Sequence, residues 1–176
     1  MIPAYPKIFS IGSPYVPNLF KGRVEVTEKI DGSQFTFGLN NEKNLVMRSK
    51  GKDLFVEDPE KMFQKAIEYV VSMQEEIKNH FPPETFFYTE FLSIPKHNVL
   101  NYKRIPKNHL MLFAAYFGGK GYVDNQKLKE LSGMLDIEAA PLLFEGKIEN
   151  VQDIKHLLDR QSVLGKEAVE GIVVKN

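Results

Sequence analysis

The stretch Glu28-Lys29-Ile30-Asp31-Gly32 lies between two segments in which hydrophobic and polar residues alternate. Val24 and Val26 mark one face of the first segment, and Phe35 and Phe37 mark one face of the second. A period of two predicts β-strands, and an Asp-Gly pair between two such strands predicts a tight hairpin. The sequence therefore predicts that the lysine of this stretch lies at a turn on a rigid scaffold. The same local pattern also fits a surface hairpin with a solvated lysine.

The composition excludes several kinds of site. Lys plus Arg and Asp plus Glu both number 23, so no overall charge draws the chain to nucleic acid or to a membrane. The chain has no cysteine, which excludes disulfides, zinc-cysteine sites and thiol nucleophiles. Its four histidines lack the spacing of a metal-binding motif. Any catalytic or nucleic-acid site must therefore come from a local cluster of other side chains.

Length and the absence of targeting signals set the expected organisation. With 176 residues, of which 43% are hydrophobic, residues 1–176 are predicted to form one domain with its own core. Met1 begins a Pro-rich polar segment and not a basic-then-apolar leader. No apolar run approaches the ~20 residues that cross a bilayer. We therefore expect a cytoplasmic protein without a membrane segment, and the sequence does not determine its oligomeric state.

Local patterns predict an α+β fold with mainly antiparallel sheets flanked by helices. Residues 1–22 hold four prolines and two glycines and are predicted to form an extended arm. Asp58-Pro59-Glu60 is typical of a helix start, and helical spacing continues to about Lys78. Further helices are predicted at 124–135 and 150–158. Predicted strands, besides those beside Lys29, reach about Arg48 after a turn at 40–41, and lie at 86–92, 110–117, 142–144 and 169–176.

Further short segments follow one another in a fixed order over nearly the whole chain. They are Tyr5-Pro6-Lys7-Ile8, Lys29-Ile30-Asp31-Gly32, Met47-Arg48-Ser49-Lys50-Gly51, Tyr88-Thr89-Glu90-Phe91 with Asn98 and Tyr102 after it, Leu112-Phe113, and Glu170-Gly171-Ile172-Val173-Val174-Lys175. The second matches a KxDG nucleophile motif and the last matches EGxVxK. Together they resemble the covalent nucleotidyltransferase superfamily, and specifically the ATP-dependent RNA ligases of the phage type.

The resemblance implies a nucleotidyltransferase (ATP-grasp-like) ligase domain that uses ATP and Mg²⁺ and attaches AMP to Lys29. The AMP would pass to an RNA 5′-phosphate, and an RNA 3′-hydroxyl would displace it. The resemblance assigns Glu170 to Mg²⁺, Glu90 to the ribose, and Phe113 to stacking on adenine, with Ile172 or Val174 on the other side of the base. The other implied nucleotide contacts are Glu28, whose backbone would help to select adenine, Ile30, Asp31, Gly32, Arg48, Lys50 and Lys175.

The chemistry of these residue types agrees with the resemblance. A lysine attacks only as the free amine, and an unperturbed lysine has a pKa of about 10.4. Apolar neighbours or other cations lower such a pKa. Attack on the α-phosphorus builds negative charge on phosphate oxygens, which fixed cations such as Arg48, Lys50 and Lys175 would stabilise. A carboxylate such as Glu170 is a hard oxygen ligand that suits Mg²⁺.

Each assignment also has an ordinary structural alternative. Phe113 fits a hydrophobic core, Glu90 fits a cross-strand pair with a lysine, and Asp31-Gly32 fits turn chemistry alone. The basic loop between the strands at 86–92 and 110–117 fits a solvated surface as well as phosphate contacts. Its cations are Lys96, Lys103, Arg104 and Lys107.

Two departures from the family pattern leave alternatives open. Arg48 lies one position further from Gly51 than the arginine of many relatives, so either Arg48 or Lys50 fits that role. Relatives carry a KxK strand after EGxVxK, and many carry a further C-terminal domain. We expect this chain, which ends at Asn176, to lack both. Alternative functions are therefore a catalytically impaired nucleotide- or partner-binding remnant, and a DNA ligase or capping-type nucleotidyltransferase.

Overall fold

The computed structural model describes residues 1–176, which form two β-sheets, four α-helices and short 3-10 turns. The strands are β1 Arg23–Lys29, β2 Ser33–Leu39, β3 Leu45–Ser49, β4 Asp53–Leu54, β5 Thr85–Phe91, β6 Leu110–Phe117, β7 Gly121–Tyr122, β8 Glu138–Ala139, β9 Leu142–Lys147 and β10 Gly171–Lys175. The helices are α1 Gln64–Ser72, α2 Gln74–His80, α3 Asn125–Met134 and α4 Gln152–Lys155. Every strand pair is antiparallel except β6 with β8, so the predicted α+β class is confirmed.

The predicted hairpin at 23–39 is wrong, because β1 and β2 belong to different sheets. β1 is the centre of a small sheet with the order β10-β1-β9, and β2 lies inside a large sheet with the order β4-β3-β2-β5-β6-β7. The chain crosses between the sheets at residues 30–32, where Gly32 packs tightly against β5. A Cβ at Gly32 would lie 2.6 Å from the carbonyl oxygen of Phe91, a separation that only glycine avoids.

The two strands still bury the predicted residues, but in separate cores. Val24 and Val26 pack with Ile154 and Leu157 behind the small sheet, where α4 and the 3-10 turn that follows it cover the strands. Phe35 and Phe37 lie in the main core with residues of α1, α2 and α3, which cover one face of the large sheet. The alternation therefore predicted burial correctly and pairing incorrectly.

The rest of the large sheet follows the sequence pattern closely. β2 and β3 form the predicted hairpin around residues 40–44, with Asn40 as the turn residue whose side chain accepts from Glu42 N and Asn44 N. β5 and β6 lie within a residue or so of their predicted bounds. β8 is a short strand that the sequence did not predict, and its parallel pairing with β6 begins the connection to β9.

The predicted helices need three corrections. Asp58 does not cap the first helix, which starts with a 3-10 turn at Lys61–Phe63 after an uncapped Glu60. The helix is also broken at Met73, whose N–H is shared among the preceding carbonyls. The last predicted helix shrinks to the four residues of α4 and a 3-10 turn, His156–Asp159. The helix predicted at 124–135 is α3, and Asp124 caps it by accepting from Lys127 N at 2.8 Å.

The arm formed by residues 1–22 has no helix or strand, as predicted. It packs on the face of the large sheet that the helices leave open, where Ile2 is buried against Phe86 and Tyr88. The hydroxyl of Tyr88 donates to the carbonyl of Pro3 at 3.0 Å. None of the helices is long and apolar enough to span a bilayer.

Candidate active site

A cavity of about 760 Å³ lies between the two sheets. Such a volume is typical of small-molecule sites. The small sheet contributes Thr27, Lys29, Val173 and Lys175, which share one face because β1 and β10 pair in register. The other walls are formed by Tyr5, Ile8, Glu28, Ile30, Gly32, Ser33, Gln34, Ser49, Lys50, Gly51, Lys52, Glu60, Met62, Phe63, Glu90, Met111, Phe113 and Ala140.

Lys29 lies at the last position of β1 and its amine forms an ion pair at the cavity. Its Nζ donates to Glu170 Oε2 at 2.7 Å. Glu170 precedes β10, and the pairing of Lys29 with Gly171 brings the two motifs together across 141 residues of chain. The register of the small sheet therefore places the predicted nucleophile beside the predicted metal ligand.

Phe113 lines the cavity at a β-bulge in β6. Leu110 and Leu112 face the helices while Met111 and Phe113 line the cavity, as the alternation of a strand requires. The pairing between β5 and β6 shifts by one residue after Tyr88, and Phe113 is the residue left without a partner. A bulge leaves backbone groups of the extra residue unpaired. The freed carbonyl of Phe113 accepts a hydrogen bond from Lys175 Nζ.

Lys175 is thereby fixed inside the site as a partly buried amine. Burial lowers the pKa of Lys175, and the negative charge of Glu25 partly opposes that shift. The amine is held on the backbone of the bulge and lies on the same face of the small sheet as Lys29. The predicted role of this residue as a phosphate contact stays a prediction, but its position agrees with that role.

Glu90 faces the cavity from β5 with a strongly shifted carboxyl group. Burial raises the pKa of Glu90 to about 7, although the charge of Lys29 and a hydrogen bond from Gly32 N both lower it. Gly32 N donates to Glu90 Oε1 at 3.2 Å. The lysine that the sequence analysis considered as a cross-strand partner is absent, because Glu90 faces Gln34 and Met111 in its two neighbouring strands.

We expect Glu90→Gln to stabilise the protein above pH 7 and to change little at pH 4.5. When a carboxyl has a higher pKa in the folded state than in the unfolded state, its stabilising effect on the fold is complete below the unfolded-state pKa. That stabilisation is lost as the pH rises through the folded-state pKa. The pKa of Glu90 rises from 4.5 to about 7 on folding. The free energy of unfolding of the wild type therefore falls by roughly 3 kcal/mol at most over this pH range, since one pKa unit is ~1.4 kcal/mol. Thermal unfolding of both proteins between pH 4.5 and 8 measures it, and parallel pH profiles would contradict it.

Glu28 is almost fully buried although its side chain is a carboxylate. Its Oε2 accepts from Val163 N at 3.1 Å, and its Oε1 has no hydrogen-bond partner. Burial raises the pKa of Glu28, while hydrogen bonds from Ser162 and Val163 lower it. Its backbone N–H donates to Pro141 O at 3.0 Å, so β1 is joined here to the segment before β9.

Residues 22–176 match the family model described as RNA ligase. The chain belongs to the RNA ligase family. No curated protein sequence matches it. The match covers every predicted motif except the leader at residues 5–8, and it confirms the family that the motif order predicted.

Solved structures with the same fold belong to the RNA ligase of Naegleria gruberi. A glutamate-to-alanine variant with ATP and Mn is 17% identical, with a TM-score of 0.78, over 99% of this chain and 53% of that one. An arginine-to-alanine variant with ATP and Mn is 18% identical, with a TM-score of 0.71, over 98% and 56%. A complex with PPi has 17% identity and a TM-score of 0.68 over 97% and 53%. This chain thus spans about half of these ligases.

Asp31 of this RNA ligase family member does not line the cavity, contrary to its predicted contact with the nucleotide. Its buried carboxylate accepts from Asn98 Nδ2 at 2.9 Å, Val99 N at 2.8 Å and Leu100 N at 2.7 Å. Its own N–H donates to the Tyr102 hydroxyl at 2.9 Å. Asp31 therefore anchors the loop between β5 and β6 to the sheet crossing, which explains why Asn98 and Tyr102 follow the glutamate strand in the sequence.

Arg48 is also outside the cavity, and this settles which basic residue of its motif lies there. Arg48 Nη1 donates to the carbonyl of Ile2 at 2.8 Å and so holds the arm on β3. Lys50 and Lys52, in the turn between β3 and β4, line the cavity instead. Lys52 lies 3.0 Å from Glu60 Oε2 across the cavity mouth.

The aliphatic residue of β10 that faces the cavity is Val173, whereas the predicted candidates, Ile172 and Val174, face the other side of the small sheet. Ile172 and Val174 pack behind the small sheet with Val24 and Val26. Side chains alternate along a strand, so the residues that flank Val173 must face away from it. Lys175 is two residues from Val173 and lies on the same face of β10. The sequence alone was sufficient to predict that these two residues share a face.

The basic loop between β5 and β6 is largely neutralised by acidic partners. Both terminal nitrogens of Arg104 bond to Glu138, at 2.6 Å and 3.0 Å. Lys107 pairs with Asp136. These two cations therefore hold the loop against β8 and its preceding turn, which leaves Lys96 and Lys103 as the loop's other cations.

Several residues of the cavity wall were not among the predicted site residues. Tyr5 and Ile8 come from the arm, Ser33 and Gln34 from the start of β2, and Lys52 from the turn after β3. The ring of Tyr5 contacts Phe113 edge-on, with centroids 5.1 Å apart. The leader motif was a usable signal for Tyr5, whereas Lys52 lies just beyond its quoted motif.

The side chains near the cavity could hold a metal ion only together with the phosphates of a bound nucleotide. Nowhere do three or more His, Cys, Asp or Glu side chains converge. Mg²⁺ often binds through one or two carboxylates together with substrate phosphates and water. Glu170 does not itself line the cavity, but its Oε2 contacts Lys29 Nζ, which does, so it is a donor of that kind beside the cavity. It could hold Mg²⁺ with phosphate oxygens once that ion pair opens.

Proposed function

We propose that this chain is the adenylation domain of an ATP-dependent RNA ligase. It transfers AMP from ATP to Lys29, and the AMP then passes to an RNA 5′-phosphate and is displaced by an RNA 3′-hydroxyl. The observation that carries the proposal is Lys29, which lines a cavity of nucleotide size and whose amine forms an ion pair with Glu170. Lys50, Lys52 and Lys175 line the same cavity.

Structures of the same fold support ATP as the substrate. They include the Naegleria gruberi RNA ligase with ATP and Mn, with AMP and Mn, and with PPi. Lysine adenylation consumes ATP and releases pyrophosphate, so these ligands correspond to the beginning and the end of the proposed reaction. The family match supports RNA ends as the acceptors.

In the proposed reaction, the Lys29 amine attacks the α-phosphorus. A nitrogen–phosphorus bond forms while the bond from phosphorus to the pyrophosphate oxygen breaks. The amine attacks only without its proton, so the ion pair with Glu170 has to open first. The register of β1 and β10 holds the amine in the site before ATP binds, which reduces the entropic cost of orienting it.

The other residues of the cavity contact different parts of the nucleotide. Phe113 and Val173 offer two apolar surfaces for adenine, and Glu90 is an acceptor for ribose hydroxyls. Lys50, Lys52 and Lys175 stabilise the charge that develops on the phosphate oxygens. Glu170 would help to hold Mg²⁺ at the phosphates, where the metal would supply further positive charge.

A mass spectrum of the purified protein tests the proposal. After incubation with ATP and Mg²⁺ we expect an added mass of one AMP, and the added group should disappear on incubation with pyrophosphate. Transfer of the label to a 5′-phosphorylated RNA, and not to the matching DNA, separates an RNA ligase from a DNA ligase. A protein that binds ATP but never gains AMP would support the non-catalytic remnant instead.

Phe113→Ala should weaken ATP binding by about 1–3 kcal/mol, the range found for stacking of a base on an aromatic ring. The wild type should bind ATP more tightly than GTP. Calorimetric titration with both nucleotides measures the two effects. Phe55→Ala is a matched control, because Phe55 is exposed and does not line the cavity. Equal affinity for the two nucleotides, or an unaffected Phe113→Ala variant, would contradict the adenine assignment.

A further inference from the structure

Ser33 lies at the first position of β2 on the cavity wall, and a histidine lies behind it. His97 Nε2 is 2.9 Å from Ser33 Oγ, a contact that spans 64 residues of chain. His97 belongs to the loop between β5 and β6, and its ring packs edge-on against Phe91 with centroids 5.4 Å apart. Neither Ser33 nor His97 has been given a role in the proposed reaction above.

The hydrogen bonds of His97 determine its tautomer. Ser93 N lies 3.2 Å from His97 Nδ1. A backbone N–H only donates, so Nδ1 has to be the acceptor and the neutral ring carries its proton on Nε2. Burial lowers the pKa of His97, while the charge of Asp31 raises it. The net shift is downward from 6.5, so the ring is mainly neutral at pH 7.

This tautomer makes Ser33 a donor toward the cavity. Nε2–H donates to Ser33 Oγ, so the serine hydroxyl has to direct its own proton elsewhere. The only other contact of Ser33 Oγ is with the sulfur of Met62 at 3.9 Å, and a thioether is a weak acceptor. The hydroxyl thus lacks a strong acceptor, and Ser33 lines the same cavity as the cations Lys50 and Lys52.

We propose that the Ser33 hydroxyl donates a hydrogen bond to a phosphate oxygen of the bound nucleotide, and that His97 is the residue that positions it. This inference rests on the proposed function, because it takes ATP as the ligand. His97 acts through Ser33 and does not touch the nucleotide. A neutral Nε2–H donor behind a hydroxyl fixes its direction before the ligand binds, which reduces the entropic cost of forming the bond.

The test compares two ligands that differ in their phosphates. One is the ATP analogue with a methylene group between the α- and β-phosphorus, which Lys29 cannot cleave, and the other is adenosine. Ser33→Ala should bind the analogue about tenfold more weakly, as expected for loss of a hydrogen bond to a charged acceptor. It should bind adenosine as the wild type does. Ser33→Thr should restore analogue binding, because it restores the hydroxyl.

Variants of His97 test the positioning role by calorimetry with the same ligands. His97→Phe should weaken analogue binding severalfold, whereas His97→Gln keeps an N–H that can reach Ser33 and should bind nearly as well as the wild type. The double variant Ser33→Ala/His97→Phe should be no weaker than Ser33→Ala, because His97 acts only through the hydroxyl. His80→Phe, an exposed histidine on α2, is the matched control.

Three results would overturn the inference. These are analogue binding by Ser33→Ala at the wild-type level, additive losses in the double variant, and an equal loss of adenosine binding in His97→Phe or His97→Gln. Covalent labelling is not needed for any of these measurements. A protein that shows the Ser33 dependence but never gains AMP would therefore refute the proposed activity and keep this inference. A protein that binds no analogue at all would refute both.

Discussion

Lys29→Arg is expected to carry no AMP after prolonged incubation with ATP and Mg²⁺, whereas the wild type becomes labelled. A guanidinium keeps the positive charge and much of the length of the side chain, but it stays protonated and cannot attack phosphorus. It can still form an ion pair with Glu170, which Lys29 Nζ contacts at 2.7 Å. The variant should therefore fold and bind ATP while losing the covalent step completely.

The measurement is the intact mass of the protein, together with transfer of label from ATP labelled at the α-phosphate. Lys127→Arg is the matched control, because Lys127 is an exposed residue of α3 that pairs with Glu130 on the same helix. It should be labelled at the wild-type rate. Labelling of Lys29→Arg at that rate would show that another group is the nucleophile, and peptide mapping of the labelled wild type would identify it.

Glu170→Ala should lower the rate of labelling at least about a hundredfold at millimolar Mg²⁺, since metal coordination supplies several kcal/mol of transition-state stabilisation. The dependence on Mg²⁺ should also become weaker, because the variant loses its carboxylate ligand. Labelling rates over a range of Mg²⁺ concentrations measure both effects. Glu149→Ala, an exposed glutamate before α4, is the control that should behave as the wild type.

The direction of this effect discriminates between two roles of Glu170. If Glu170 only holds the ammonium of Lys29 in the resting protein, its removal frees the amine, and labelling should become faster. If it holds Mg²⁺ with the phosphates, its removal should slow labelling. A faster reaction with unchanged Mg²⁺ dependence would therefore remove Glu170 from the metal site and leave it as an ion-pair partner alone.

Several residues show where sequence reasoning was reliable. Regular alternation identified the buried faces of β1 and β2, and the uninterrupted apolar run gave β6 at its observed bounds. The helix predicted at 124–135 was found as α3, Asn125–Met134. Spaced motifs along the chain identified the family, because a nucleotide site draws fixed residue types from several strands. Burial pattern, helical spacing and motif order are all properties of short segments, which is why the sequence alone determines them.

The pairing of β1 and β2 could not be predicted from short segments of the sequence. An Asp-Gly sequence between two alternating segments favours a hairpin locally, but the close contact of Gly32 with Phe91 and the capture of the Asp31 carboxylate by Val99 and Leu100 direct β1 and β2 into separate sheets. These contacts join residues more than fifty positions apart. No local pattern records them, so the cavity between the sheets was invisible before the fold was known.

The sequence by itself thus determined the set of reactive residue types, and the tertiary structure decided which of them share the cavity. A bulge in β6 frees the Phe113 carbonyl that holds Lys175, while strand parity turns Val173 inward and Ile172 outward. Arg48 holds the arm, and Asp31 holds a loop. The physical reason is that a side chain's direction depends on register and long-range hydrogen bonds, whereas its chemistry is fixed by its identity alone.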